Sequence, residues 1–195
     1  MSPIDSLRKG LDRLSQLDSL YKSEMPQPSS GLFEAACYHF NNPGKSFRAQ
    51  LALSSGDALF QNQKDSLHWA AACELLHNAS LIHDDISDAS THRRGQSSIN
   101  HKFGSDIALC LGDWMVAKAF ELASRNHTHG GQLAALLAKA MQDTCSGQSS
   151  DVKQSRCATL SEWKTIDKGK TAPQLASPIK GAAISANRET SLHSV

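Results

Sequence analysis

Leu7, Leu11, Leu14, Leu17 and Leu20 recur at the three- and four-residue spacing of one helical face, which predicts a helix over residues 4–21. Pro26, Pro28, Ser29, Ser30 and Gly31 break that pattern. A short helix is predicted over 32–40, a turn at Asn41-Asn42-Pro43-Gly44, and a third helix over 45–56. Ser66 is a suitable cap for a long helix reaching Asp88. A further helix is predicted over 105–124, and Gly130-Gly131 separates it from another over 132–147. Thr159 or Ser161 opens a last pair, broken at Gly169 or Pro173, and the tail from Asn187 is polar. Alternating apolar runs joined by hairpin turns are absent, so the expected class is all-α.

The long helix carries the chemistry. His77, Asp84 and Asp88 fall on one of its faces, and Leu75, Ile82 and Ile86 fall on the opposite one. Residues 70–82 are too small and apolar for a plain surface helix, so the expected element has a packed back and a functional front. Asp84, Asp85 and Asp88 crowd three carboxylates together, which is strongly repulsive unless a cation sits among them. Oxygen ligands suit a hard divalent ion such as Mg2+. Arg93 and Arg94 follow closely, and guanidinium forks suit phosphate. The combination reads as a grip on a diphosphate, with metal on one side and arginine on the other. Lys45 and Arg48 stand three apart at a predicted helix start, where free backbone N–H groups also face an anion. Gln148 and Asp151 close another helix, and Lys170-Thr171 is expected inside the last one; neither is remarkable alone.

Composition narrows the class. A chain of 195 residues supports one core, and a net charge of +1 supplies no field for nucleic acid. No apolar run is long enough for a membrane span. The first 20 residues mix charge with leucine and do not read as a secretory signal, so a cytoplasmic location is expected. The five cysteines are scattered and odd in number, which reads as free thiols in a reducing compartment.

Taken in order, Gly44-Lys45-x-x-Arg48, His77, Leu81-Ile82-His83-Asp84-Asp85-x-x-Asp88, Arg93-Arg94-Gly95, Phe103-Gly104, Gly112-Asp113, Gly147-Gln148-x-x-Asp151 and Lys170-Thr171 resemble the trans-prenyl diphosphate synthases, the polyprenyl synthetase family. The likeness is best over residues 32–183 of a single domain spanning 1–195. It implies an isoprenoid synthase fold, helices around a central cavity, and Mg2+-dependent head-to-tail condensation of isopentenyl diphosphate with an allylic diphosphate. It implies that Asp84, Asp85 and Asp88 form the metal site and that Arg93 meets the allylic diphosphate. Lys45, Arg48, His77 and Arg94 would hold isopentenyl diphosphate. Gln148, Asp151, Lys170 and Thr171 would line the allylic site, the last two near the reacting carbon. It also implies a homodimer, or a heteromer with a related synthase subunit. The small residues Ala79 and Ser80 stand where the family limits product length, which points to a product longer than farnesyl.

The chain departs from the family pattern at Ser46, where a second basic residue is usual, and at Asn100, where histidine is usual. Pro173 is expected to kink the last helix. After Lys170 there is no aspartate and Glu189 is the one acidic residue, so the family's second Asp-rich motif is read as missing together with the C-terminal helices that carry it. Two readings stay open on the sequence: a truncated form of an active prenyltransferase, and a non-catalytic partner subunit of a complete synthase. A terpene cyclase is disfavoured, because it would have no use for the Lys45, Arg48, His77 and Arg94 set.

Overall fold

The computed structural model describes the backbone of residues 3–152, 159, 169 and 171–187, and the side chains of 12–150, 159, 169 and 171–187. The helices are α1 (Pro3–Ser23), α2 (Phe33–Phe40), α3 (Phe47–Ala58), α4 (Gln63–Ser87), α5 (Ile99–Phe103), α6 (Ser105–Ser124), α7 (Gly130–Val152) and α8 (Ala172–Ser185). α4 is the central post. It packs against α6, α3, α8, α1 and α7. Its run of Ala70, Ala71, Ala72, Leu75, Leu76, Ala79 and Ile82 is buried, and the small side chains let neighbouring helices approach closely. Leu17 and Tyr21 of α1, Leu111 and Met115 of α6, and Leu133 and Leu137 of α7 complete one core.

Several local features differ from the sequence reading. α4 is capped by Asn62, whose side chain accepts from the N–H groups of Lys64 (2.9 Å) and Asp65 (3.3 Å), while Ser66 is buried within the helix. Gly130-Gly131 opens α7 instead of preceding it, because Asn126 Oδ1 accepts from Thr128 and His129 N–H and turns the chain first. Pro173 does not kink α8; it sits in the first turn, where a missing N–H costs nothing. A two-residue hairpin, β1 (His92–Arg93) paired with β2 (Gln96–Ser97), is closed by Arg94 and Gly95, both at positive φ as a type I′ turn requires.

α4 ends in a Schellman motif. Ser90 N–H reaches Asp85 O at 2.9 Å and Ala89 N–H reaches Ile86 O at 3.2 Å. Ala89 occupies the left-handed position (φ 49°) that favours glycine. Ala89→Gly is therefore expected to stabilise the fold by about 0.5–1 kcal/mol, raising Tm by about 2–4 °C in a thermal melt.

α1 is tied to the rest by charge. Arg13 pairs with Asp57 and donates to Leu53 O. Glu24 accepts from Arg125 (2.5 and 3.0 Å) and Lys118 (3.2 Å) of α6. The Arg125 hydrogen bond, helped by Lys118, lowers the Glu24 carboxyl from 4.5 to about 2. A carboxylate held low in the folded state contributes fully above 4.5, and that contribution is lost as pH falls towards 2. Glu24→Gln is expected to flatten the decline of Tm across that window, leaving neutral-pH melting less affected by acid than in the parent chain.

Candidate functional site

The sequence-predicted residues gather in two places along α4. The first is a cleft of about 350 Å³ between α4 and α7, lined by Ser80, His83, Asp84, Ser87, Met141, Thr144, Cys145, Gln148 and Ser149. Asp84 and Gln148, far apart in sequence, thus face one space. Both amide atoms of Gln148 are buried there without a partner, which marks a place for a polar ligand. Asp88 caps the end of α4 one turn above Asp84 and is exposed. Gly169 packs 3.4 Å from the Cα of Gly147, measured from the position a Cβ would take. That contact brings the chain leading to Thr171 beside the turn of α7 that bears Gln148. Thr171 is the N-cap of α8, so it precedes that helix instead of lying inside it. Lys170 and the side chain of Asp151 lie outside the described residues.

Ser80 lines the cleft, whereas Ala79 is fully buried in the core. Successive helical residues point about 100° apart, so the two cannot share one floor. His83 Nε2 lies 3.4 Å from Asp113 Oδ1, and glycine at 112 is required because a Cβ there would fall 2.2 Å from the same nitrogen.

Asp85 stands apart from its two acidic neighbours. It is 3% exposed and turned inward, where both carboxylate oxygens accept from Arg93 Nε (3.0 and 3.2 Å) and Oδ1 also accepts from Nη2 (2.5 Å). Asn100 Nδ2 donates to the carbonyls of Asp85 and Ser90, both at 3.1 Å, fixing the end of α4. Among the described residues no cluster of three or more His, Cys, Asp or Glu side chains is placed to hold a metal. Asp84 and Asp88 remain as two carboxylates on successive turns. Such a pair fits Mg2+, which keeps several waters and is commonly held by one or two carboxylates plus substrate phosphate oxygens.

The second place is a cluster of cationic side chains around His77 on α4, contributed by α3 and the hairpin. Arg94 is clamped by three hydrogen bonds. Its Nη1 donates to Asn42 O (3.0 Å), its Nη2 to Asn78 Oδ1 (3.1 Å), and Asn42 Nδ2 returns a bond to Arg94 O (3.0 Å). His39 Nε2 meets the same Asn78 oxygen at 3.2 Å. Gly44, at φ 75°, leaves room for the guanidinium, since a Cβ would lie 2.7 Å from Arg94 Cζ and Nε. Arg48 is half-buried with an unpartnered Nε, and Lys45 is exposed on the preceding loop.

The start of α3 does not offer its N–H groups to an external anion as the sequence suggested. Ser46 is left-handed (φ 45°) and delays the helix to Phe47. Ala49 N–H donates to Glu74 Oε2 at 3.0 Å, so a buried carboxylate of α4 occupies the helix terminus. Burial pushes the Glu74 carboxyl up, against the pull of Ala49 N–H and Arg48. His77 lies among these groups. Burial, followed by Arg48 and Arg94, lowers its pKa to about 3, so its ring is neutral near pH 7. Burial likewise lowers His39 to about 4.

Glu74, Asn78, His39 and Asn42 were not singled out from the sequence. For Glu74 and Asn78 a signal existed: each is a polar residue in a stretch too apolar for a surface helix. His39 and Asn42 carry no such signal.

The profile of the family described as polyprenyl synthetase matches residues 30–194. The chain belongs to the polyprenyl synthetase family. A geranylgeranyl pyrophosphate synthase of Geoglobus acetivorans is 32% identical over 140 residues, which are 70% of this chain and 43% of that protein. A short chain isoprenyl diphosphate synthase of Methanocaldococcus jannaschii is 29% identical over 177 residues, 89% of this chain and 54% of the relative. This polyprenyl synthetase chain therefore spans about half the length of the curated relatives it matches. The structure of the Geoglobus acetivorans geranylgeranyl pyrophosphate synthetase superposes with a TM-score of 0.83 at 28% identity, covering 93% of this chain and 62% of that one. A Thermotoga maritima geranyltranstransferase gives 0.86 at 24% identity, covering 94% and 71%, and supports the isoprenoid synthase fold.

Proposed function

We propose that this chain forms the substrate-gripping part of a prenyltransferase that joins isopentenyl diphosphate to an allylic diphosphate. The observation that carries the reading is the pairing of two sites on one helix: the α4–α7 cleft with Asp84 and Gln148, and the cationic cluster in which Arg48 and Arg94 act on His77. Two diphosphates need two such grips, and separate grips fix their relative orientation.

In this reading the allylic diphosphate lies in the cleft. Gln148 lines it, Asp151, Lys170 and Thr171 would complete it as the resemblance implies, and Arg93 offers the Nη1 edge that is not part of its pair with Asp85. Asp84 and Asp88 would hold Mg2+, and Asp85 supports the cluster by holding Arg93. The metal supplies charge stabilisation for the departing diphosphate. Lys45, Arg48, His77 and Arg94 hold isopentenyl diphosphate. As the allylic C–O bond breaks, the guanidiniums stabilise the growing negative charge. The isopentenyl double bond attacks the allylic carbon, a proton leaves the adduct, and the released diphosphate accepts it. Ser80 sits on the wall of the cleft, which favours a product longer than farnesyl over one stopped early by a bulky side chain. The reading includes a single domain over 1–195 and the cytoplasmic location expected from the sequence. Among the described residues no helix is long and apolar enough to cross a membrane.

A homodimer through the outer face of α6 belongs to the same proposal, because Leu109 is 51% exposed there beside an exposed Cys110. The alternative reading is a non-catalytic subunit paired with a complete synthase. The deciding experiment is incubation of the purified chain with Mg2+, labelled isopentenyl diphosphate and allylic diphosphate primers. Labelled polyprenyl diphosphate supports catalysis. Binding of both substrates without product supports the subunit reading, and binding of neither contradicts both.

A further inference from the structure

Asn78 is a buried amide, 2% exposed, that follows His77 directly in α4 and belongs to no motif. Its Nδ2 donates to Glu74 O, one helical turn back, at 2.9 Å. Its Oδ1 accepts from Arg94 Nη2 at 3.1 Å and lies 3.2 Å from His39 Nε2. A carbonyl only accepts and a guanidinium only donates, so Glu74 O and Arg94 independently require the same orientation of this amide. The oxygen therefore faces His39 as well, and that ring must carry a proton on Nε2. One buried oxygen thus ties α2 and the hairpin to α4.

We propose that Asn78 is a positioning residue for the second diphosphate grip: its amide oxygen, held by Glu74 O and braced by His39, orients the Arg94 guanidinium for a diphosphate. Asn42 O takes another N–H of the fork at 3.0 Å from the loop after α2. The other N–H groups of the guanidinium are left, among the described residues, for an anion. A long side chain loses rotamer freedom when a ligand fixes it, and fastening it beforehand lowers that cost at binding. Asparagine suits the task because its oxygen accepts without adding charge. A carboxylate there would pair with Arg94 and compete with the anion. The charged groups facing His39 are Arg94 from the hairpin and Asp85 from α4, and burial above all lowers the ring to about 4, so it is a neutral donor near pH 7. This inference rests on the reading of Arg94 as a holder of diphosphate.

The test is 15N–1H correlation spectroscopy of the Arg94 guanidinium and the His39 imidazole in the full chain, from about pH 5 to 8, with and without inorganic diphosphate. The parent chain is expected to show restrained Arg94 Nη groups that move on addition of diphosphate, and His39 as the Nε2–H tautomer throughout. Asn78→Leu is expected to free the Arg94 Nη groups, mix the His39 tautomers and weaken diphosphate binding about tenfold, the scale of ordering one long side chain at binding. Asn78→Asp keeps the accepting oxygen and carries the test if the leucine variant does not fold. It is expected to keep Arg94 restrained while bringing protonation of His39 up into the measured range. Arg94 as restrained in Asn78→Leu as in the parent, with equal diphosphate affinity, overturns the role of Asn78 and leaves the site reading intact. So does free Arg94 in Asn78→Asp, or an Nδ1–H tautomer of His39 in the parent. Arg94 signals that ignore diphosphate in the parent chain overturn the site reading, and the diphosphate role of Asn78 with it.

Discussion

Asp84→Ala is expected to weaken Mg2+-supported binding of an allylic diphosphate by about 10²-fold or more, the scale of losing one preorganised charge contact in a water-poor site. Asp84 lines the α4–α7 cleft, so its removal takes away one of the two carboxylates proposed to hold the metal without touching the core. Asp85→Asn is expected to behave differently, although it is the adjacent residue in a crowded acidic motif. Its carboxylate is buried against Arg93. Its replacement is expected to cost about 1.5 kcal/mol of stability, the low end for hydrogen bonds to charged groups because Arg93 keeps 37% of its side chain in solvent. Thermal melts and calorimetric titrations on the two variants separate these effects. Equal loss of metal-supported binding with unchanged stability in both would contradict the division of labour.

Trp69→Ala is expected to destabilise the fold by about 3–5 kcal/mol, the cost of truncating a large buried aromatic. Trp69 is 1% exposed and is the point at which α8 is fastened to α4. Its loss removes the hydrogen bond to Pro178 O and opens the gap that Gly181 was shaped to close. Gly181→Ala forces the opposite fault, an extra methyl against the indole, and is expected to cost about 1–3 kcal/mol. Urea denaturation checks both. Because α8 begins at its N-cap Thr171, weakened docking is also expected to blunt allylic diphosphate binding in the α4–α7 cleft. Stability within about 0.5 kcal/mol of the parent in either variant would rule out this fastening.

The helices were legible where one face is apolar and the other polar. The element at 105–124 was predicted with its observed bounds, and the leucine stripe located α1. The long helix was legible by its end at the acidic motif and by an alanine-rich run that only a central helix can bury. Its start was not, because Asn62 and Ser66 are both capping residues and only the folded chain shows which one meets the free N–H groups. The hairpin was invisible because two residues per strand cannot show an alternation.

The acidic and arginine motifs were legible as chemistry, but their internal roles were not. Three adjacent carboxylates look equivalent in a sequence. The helical turn sends Asp85 inward and keeps Asp84 and Asp88 outward. The clamp on Arg94 depends on Asn42 and Asn78, which come from a loop and a helix joined only by folding. A buried polar contact between distant elements leaves no periodic trace, so Glu74 at the start of α3 could not be anticipated from spacing.

The central claim is that the α4 carboxylates serve a metal-bridged diphosphate. Isothermal titration of an allylic diphosphate into the parent chain, in Mg2+ and again in excess chelator, tests it most directly. The predicted result is saturable binding in Mg2+ that collapses in chelator and in an Asp84→Asn, Asp88→Asn double variant. Equal affinity in both conditions, or full binding by the double variant, would contradict it.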